Sequence, residues 1–436
     1  MSVSPSRRVT FDVLHRVFTQ DAYAVDLLHS ALLDNLSNAD RALAMEITMG
    51  VLRWRSVLER TLQPFIKQAF SRLDVEVQIA LQMGAYQLLF LDRIPANAAV
   101  NESVELVKRS RKRSASGLAN AVLRKIAGLD ESAKRAVADS AVAHPAWMVE
   151  RWKKHYGEEA ATKLCTFNQQ RPVTAIRFAN PDAEAELRAA GIELEPGRIV
   201  RSARRVVSGD VTSALAFREG RVVIQDEASQ LIALTVQGGS KILDCCAAPG
   251  GKTALMALRN AAAKITAVEL HEHRLRLMRE RVRATNVTFL QSDARQLSFR
   301  AEFDRILADM PCSGTGTLAR NPEIKWRLKL EDLTELAQRQ REILISALAA
   351  LAPGGTLIYS TCSLEAEENE QVIHDVLQSS PGIELQECVS VLQKLEAEDE
   401  IVEGISKQIV SGKFLRTIPG VHDCDGFFAA VIRKIS

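Results

Sequence analysis

From residue 241 onward the chain alternates short apolar runs with longer amphipathic stretches. Residues 241–246, 264–270, 287–291, 303–309 and 356–361 read as strands, and 331–351 reads as a helix. That alternation predicts an α/β fold with a parallel, doubly wound sheet. Residues 427–433 read as a last strand after an Asp425-Gly426 turn. The first third is helical in pattern. Val77, Ala80, Leu81, Gly84, Ala85 and Leu88 recur at helical spacing as one apolar stripe, and Val100, Val104 and Val107 form another. Between these regions, short mixed elements separated by Pro145, Pro172, Pro181 and Pro196 predict a small α+β module. The expected domains are therefore 1–130, 144–221 and 222–436. Residues 384–403 carry seven acids and one lysine, and read as a solvated insertion without a role.

With 56 basic and 54 acidic residues, 25% charged and 47% hydrophobic, the composition excludes disordered and collagen-like classes. The net charge of +2 hides an asymmetry, because residues 1–129 hold 17 lysines and arginines against 12 acids. The excess culminates in Lys108, Arg109, Arg111, Lys112 and Arg113, directly after the second stripe. Cations there suit the carboxyl end of a helix dipole, and they equally suit a phosphate backbone; contact with RNA is the expectation carried forward. Seven cysteines without paired Cys-x-x-Cys spacing exclude a disulfide scaffold and a zinc ribbon, so no metal is expected and the thiols are expected to be reduced. Asp12, His15 and Arg16 interrupt any signal-like core, and no long apolar run occurs. A cytoplasmic protein with no membrane partner is expected, and a monomer.

The first strand of the sheet ends at Asp244 and Cys245, and Cys246, Ala247, Ala248, Pro249, Gly250, Gly251, Lys252 and Thr253 lead into a helix. Ligands of such sheets bind at this edge. Gly251-Lys252-Thr253 also matches the end of a phosphate-binding P-loop, but Cys246 stands where that loop needs its first glycine, and Pro249 removes a backbone N–H. Glu269 ends the second strand 25 residues past Asp244, near the offset at which a carboxylate meets ribose hydroxyls. Asp293 follows the third strand, where an adenine amino group can reach it. Each acid alone could serve as an N-cap. Three acidic strand ends around one glycine turn favour a nucleoside cofactor lacking a pyrophosphate.

The fourth strand stops at Asp309-Met310-Pro311-Cys312-Ser313-Gly314, and the fifth at Ser360-Thr361-Cys362-Ser363. In a doubly wound sheet these ends are neighbours, so Cys312 and Cys362 should share one crevice beside the cofactor turn. Cys165, Cys245, Cys388 and Cys424 read as structural. A disulfide between the two loop cysteines is disfavoured in a reducing compartment, and a metal would lack two ligands. Spacing alone does not say which thiol acts first.

Asp-Cys-Cys-Ala-Ala-Pro-Gly-Gly-Lys-Thr, Asp-Met-Pro-Cys-Ser-Gly and Ser-Thr-Cys-Ser resemble the motifs of S-adenosylmethionine-dependent RNA 5-methylcytosine methyltransferases. The runs from Arg320 to Trp326 and from Asp425 to Phe428 also look like that family. The helical first third resembles the NusB-type RNA-binding domain found ahead of the catalytic domain in bacterial RsmB-type ribosomal RNA enzymes. The resemblance implies a Rossmann-like methyltransferase sheet, preceded by an all-α NusB-like domain and the small module. It implies methylation of carbon 5 of a cytosine in 16S rRNA, naked or in a partial small-subunit particle. Carbon 5 of cytosine is a weak nucleophile, and covalent addition of a thiolate to carbon 6 activates it. By the resemblance Cys362 is that nucleophile, Cys312 assists release of the adduct, Asp309 hydrogen-bonds the base and borders the cofactor, and Lys252 belongs to both sites. DNA cytosine-5 methyltransferases place their nucleophile in the Pro-Cys position, so the order of the thiols depends on the second one being present. Adenine amino-methylating enzymes carry an aromatic residue where Cys312 stands. Two departures are Glu269, where relatives often have aspartate, and Cys245, often leucine. A non-catalytic RNA-binding or assembly factor that retains the fold is the alternative from another class.

Overall fold

The computed structural model describes residues 3–139, 143–180 and 182–435; Pro181, one of the four module prolines, lies outside them. The chain forms two compact units, one of residues 1–171 with 318–327, the other of residues 172–317 with 328–436.

In the first unit the helices Pro5–Thr19, Asn38–Leu62, Val75–Phe90, Ala96–Arg109 and Ser116–Ala127 surround one apolar core. Ser37 caps the second of these by accepting a hydrogen bond from the Asp40 N–H. The helix Val75–Phe90 differs from its expected single stripe. Ile79, Gln82, Met83, Tyr86 and Gln87 are buried along with Val77, Ala80 and Leu81, so it is the central helix and is enclosed on all sides. The sequence is apolar nearly all round, and a stripe counted on one face hides that. Gly50 admits it closely: a Cβ there would stand 1.9 Å from the Tyr86 ring. Two further helices, Ala146–Tyr156 and Glu158–Gln169, belong to this unit.

The segment 318–327, which contains the run from Arg320 to Trp326, is part of the helical unit rather than the sheet unit. Lys325 is 1% exposed and donates from Nζ to the carbonyls of Arg53 (2.9 Å) and Ala143 (2.5 Å), and Trp326 Nε1 donates to Leu52 O at 2.6 Å. Burial drives the Lys325 ammonium well below its usual pKa, and the Arg53 charge adds to this.

The second unit begins with a small antiparallel sheet of order β2-β3-β1-β4, built from β1 Thr174–Phe178, β2 Glu193–Pro196, β3 Arg204–Ser208 and β4 Val222–Ile224. A nine-stranded sheet follows: β5 Lys241–Asp244, β6 Lys264–Glu269, β7 Val287–Gln291, β8 Phe303–Asp309, β9 Leu351–Thr361, β10 Ile383–Gln386, β11 Val410–Ser411, β12 Phe414–Thr417 and β13 Phe427–Lys434. Its order is β11-β12-β13-β9-β8-β5-β6-β7, with β10 paired to β13. Strands β5 to β9 are mutually parallel, whereas β13 runs antiparallel to β9, so the sheet is mixed. The order reverses between β5 and β8, which opens a crevice at their carboxyl ends. Among the described residues no helix is long and apolar enough to cross a membrane.

Residues 384–403 are not a solvated insertion. They supply β10 and the helix Cys388–Ala397, whose Cys388, Leu392 and Leu395 point into the core together with Ile401. Apolar residues at i, i+4 and i+7 decide the packing, while most of the acids cover the outer face.

Candidate active site

The turn from Cys245 to Gly250 joins β5 to the helix Gly251–Arg259. Its backbone is tied to the neighbouring strands: Cys245 N donates to Leu307 O and Ala247 N to Val268 O, both at 2.9 Å. Gly250 has φ +99°, a left-handed conformation that a side chain would strain, and a Cβ there would meet Val282 at 2.6 Å. Residues 246–251 therefore form a fixed backbone edge over the crevice.

Asp244 is 1% exposed, accepts a hydrogen bond from Thr253 Oγ1 at 2.7 Å through Oδ2, and leaves Oδ1 unpartnered. Burial pushes its carboxyl up to about 7, against the opposing effect of Thr253. Glu269 is buried at the end of β6, with Oε1 accepting from the His271 N–H at 2.9 Å. Asp293 caps the turn Ala294–Gln296 and forms a bidentate pair with Arg295, at 2.6 Å for the shortest contact. The hydrogen bond from Arg295 holds the Asp293 carboxyl below its usual range.

Asp309 ends β8 between two donors, with Lys252 Nζ at 2.7 Å from Oδ2 and Ser360 Oγ at 2.7 Å from Oδ1. Burial opposes the Lys252 ammonium, but the charge and hydrogen bond of Asp309, aided by Cys362, outweigh it and raise its pKa. Lys252 and Thr253, the two residues a phosphate-binding loop would need, are thus both turned to carboxylates.

The two thiols meet. Cys312 Sγ lies 3.3 Å from Cys362 Sγ, across the adjacent ends of β8 and β9. The hydrogen bond with Cys362 and burial, reinforced by the charges of Cys362 and Glu368, push the Cys312 thiol well up, so it stays protonated. Burial raises Cys246 likewise. Cys165, Cys245, Cys388 and Cys424 are buried.

Reading the sequence by motif missed the group beneath the thiols. Glu368 is fully buried; Oε1 accepts from Ser313 N (2.8 Å) and Gln340 Nε2 (2.9 Å), and Oε2 accepts from Ser363 Oγ (2.5 Å) and Ser313 Oγ. The available signal was that a serine follows each cysteine. Of the basic run in the helical unit, Lys112 pairs with Asp74 at 3.0 Å and Lys108 with Glu105 at 3.4 Å. Arg109, Arg111 and Arg113 are exposed and have no ion pair among the described residues.

A switch-point crevice with a glycine turn, acidic strand ends and paired thiols defines a Rossmann-like S-adenosylmethionine-dependent methyltransferase, here with a helical domain ahead of it. The family model for 16S rRNA methyltransferase RsmB/F matches residues 231–433, that for the NusB family residues 4–128, and that for the RsmF/B-like ferredoxin-like domain residues 144–209. The probable ribosomal RNA small subunit methyltransferase B of Bacillus subtilis is 32% identical over 457 aligned positions that cover all of both chains. Ribosomal RNA small subunit methyltransferase B of Vibrio cholerae is 35% identical over 94% of each chain. The crystal structure of PH0851 covers all of both chains with a TM-score of 0.80 at 24% identity, a likeness of fold. The chain belongs to the RsmB/F family of 16S rRNA methyltransferases.

Proposed function

We propose that this protein methylates carbon 5 of a cytosine in 16S rRNA, through a covalent adduct between Cys362 and carbon 6. The observation that carries the reading is the thiol pair, 3.3 Å apart and next to the Lys252–Asp309–Ser360 cluster. The crevice suits a nucleoside-bearing methyl donor. Ala248 and Gly251 have backbone N–H groups not used within the turn, Glu269 has lone pairs for ribose hydroxyls, and Asp244 has an unpartnered buried oxygen. Asp293 would reach adenine while sharing its carboxylate with Arg295. S-adenosylmethionine, when bound, supplies an electrophilic methyl group.

Lys252 lies close enough to Cys362 for that sulfur to be one of the groups that raise its pKa; addition of the Cys362 sulfur to carbon 6 makes carbon 5 nucleophilic. Asp309, held by Lys252 and Ser360, keeps lone pairs on both oxygens to accept from the base. After methylation, Cys312 passes its proton to the departing Cys362 sulfur and takes the proton from carbon 5, so the ring is restored and both thiols end protonated. Transfer to an RNA base also requires that base to leave its stack. Arg109, Arg111 and Arg113, exposed and without an ion pair among the described residues, would meet the phosphate backbone of the RNA.

The test is a pair of variants. Cys362→Ala should abolish methyl transfer while RNA binding persists, and transfer at full rate overturns the nucleophile. Cys312→Ala should accumulate a protein–RNA adduct, seen as a shifted band in a denaturing gel. A competent substrate giving no such band overturns its part in release.

A further inference from the structure

Each cysteine of the pair is bracketed by residues that converge on one short stretch, Glu368 and Asn369. On the β8 side, Gln340 Nε2 donates to Pro311 O (3.0 Å), just before Cys312, and also to Glu368 Oε1, while Ser313, just after, donates to Glu368 from both N and Oγ. On the β9 side, Thr361 Oγ1 donates to Asn369 Oδ1 (2.5 Å), Asn369 Nδ2 donates to Ser363 O (2.9 Å), and Ser363 Oγ donates to Glu368. The two serine oxygens stand 3.0 Å apart over the same carboxylate oxygen.

We propose that Glu368 is a positioning residue of the methyl-transfer reaction, whose single carboxylate holds the Cys312 and Cys362 loops in register and keeps a negative charge behind Cys312. The proposal rests on the covalent reading given above. Burial raises the Glu368 carboxyl above its usual range, and the four donors that face it, which are the complement of an ionised acceptor, oppose that rise; no cation lies within ion-pair distance of it among the described residues. A buried charge without a counter-ion is costly, and a neutral glutamine of the same shape could join two loops. What glutamine cannot supply is the charge. That charge is one of the effects that raise Cys312, after its contact with Cys362 and burial. Glu368 touches neither thiol, so it acts on both through the serines and through its field.

The test uses the full chain. Glu368→Gln keeps the shape, removes the charge and turns an NH2 group toward the serine oxygens. Misplacement of the thiols should lower kcat about 100-fold, with KM for RNA unchanged. In the free protein, the pH at which iodoacetamide half-modifies Cys312, followed by peptide mass spectrometry, should fall by about one unit as the like charge disappears. The double variant Ser313→Ala, Ser363→Ala retains the charge and breaks the tether. It should lose turnover, and it replaces Glu368→Gln as the turnover test if the latter does not fold. Glu368→Gln at wild-type kcat, or a Cys312 profile superimposed on the wild type, overturns the proposal. Because alkylation needs neither RNA nor methyl donor, it separates the two readings. An active Cys362→Ala with a shifted Cys312 profile sinks the covalent mechanism alone, whereas an inactive Cys362→Ala with a fully active Glu368→Gln sinks only this one.

Discussion

Asp244 makes the stability of the sheet unit depend on pH in a direction opposite to that of most carboxylates. Its carboxyl, pushed up to about 7 by burial, compares with about 3.9 in an unfolded chain. Between those values the folded state holds a proton that the unfolded state has released. Stability attached to that proton is therefore complete below about pH 4, falls as pH rises, and is gone above about pH 7. The gap of about three units corresponds to about 4 kcal/mol, of which about 2.5 kcal/mol is lost between pH 5 and pH 8. For a unit of this size that is a Tm difference of roughly 5–10 °C. Asp244→Asn removes the titration and keeps an acceptor for Thr253 Oγ1. Any constant cost of the amide cancels when each protein is compared with itself at the two pH values. Calorimetry at pH 5 and pH 8 should show the wild-type Tm dropping further than the variant's by that amount. Equal drops would refute the claim that Asp244 is protonated in the folded state.

Two other outcomes follow from distances in the structure. Sulfurs 3.3 Å apart need to close by little more than an ångström to bond, so diamide, taking two electrons and two protons, should link Cys312 to Cys362. Methyl transfer should stop and return with dithiothreitol; peptide maps of the oxidised protein without that link would count against the shared crevice. In the helical unit, changing Arg109, Arg111 and Arg113 to glutamate should weaken RNA binding and reduce its salt slope by roughly two, whereas Lys112→Ala, already paired with Asp74, should do neither. An unchanged slope in the triple variant moves the RNA contact elsewhere.

The sequence carried the parallel half of the sheet well, since its strands are apolar runs that end in turn residues. β7 and β8 have the expected limits, and β5 and β6 stop one or two residues short of them. Because parallel strands deliver their carboxyl ends to one edge, the adjacency of Cys312 and Cys362 could be inferred without coordinates. Charge was the poor guide. Glu365 and Glu368 are buried although they stand in a stretch rich in acids. Residues 384–403 hide a core-facing triplet among acids. Net charge sums over all faces of an element, whereas burial is decided by a few positions on one face and by what the rest of the chain places there. Strand direction is equally invisible in a pattern of period two, which is why the antiparallel half of the sheet, from β10 to β13, had to be observed.

The two thiol loops look alike in sequence, each a cysteine followed by serine at the end of a parallel strand, so their division of labour has to come from the surroundings. On one side is the ammonium of Lys252, which responds to the charge of Cys362; on the other is the carboxylate of Glu368, which acts against ionisation of Cys312. The negative charge of Glu368 is one of the effects that keep the proton on Cys312, after its contact with Cys362 and burial. In the proposed reaction that suits Cys312 as the proton donor at the end. In the proposed function, the division of labour between the thiols would follow the charges around them rather than the motifs that contain them.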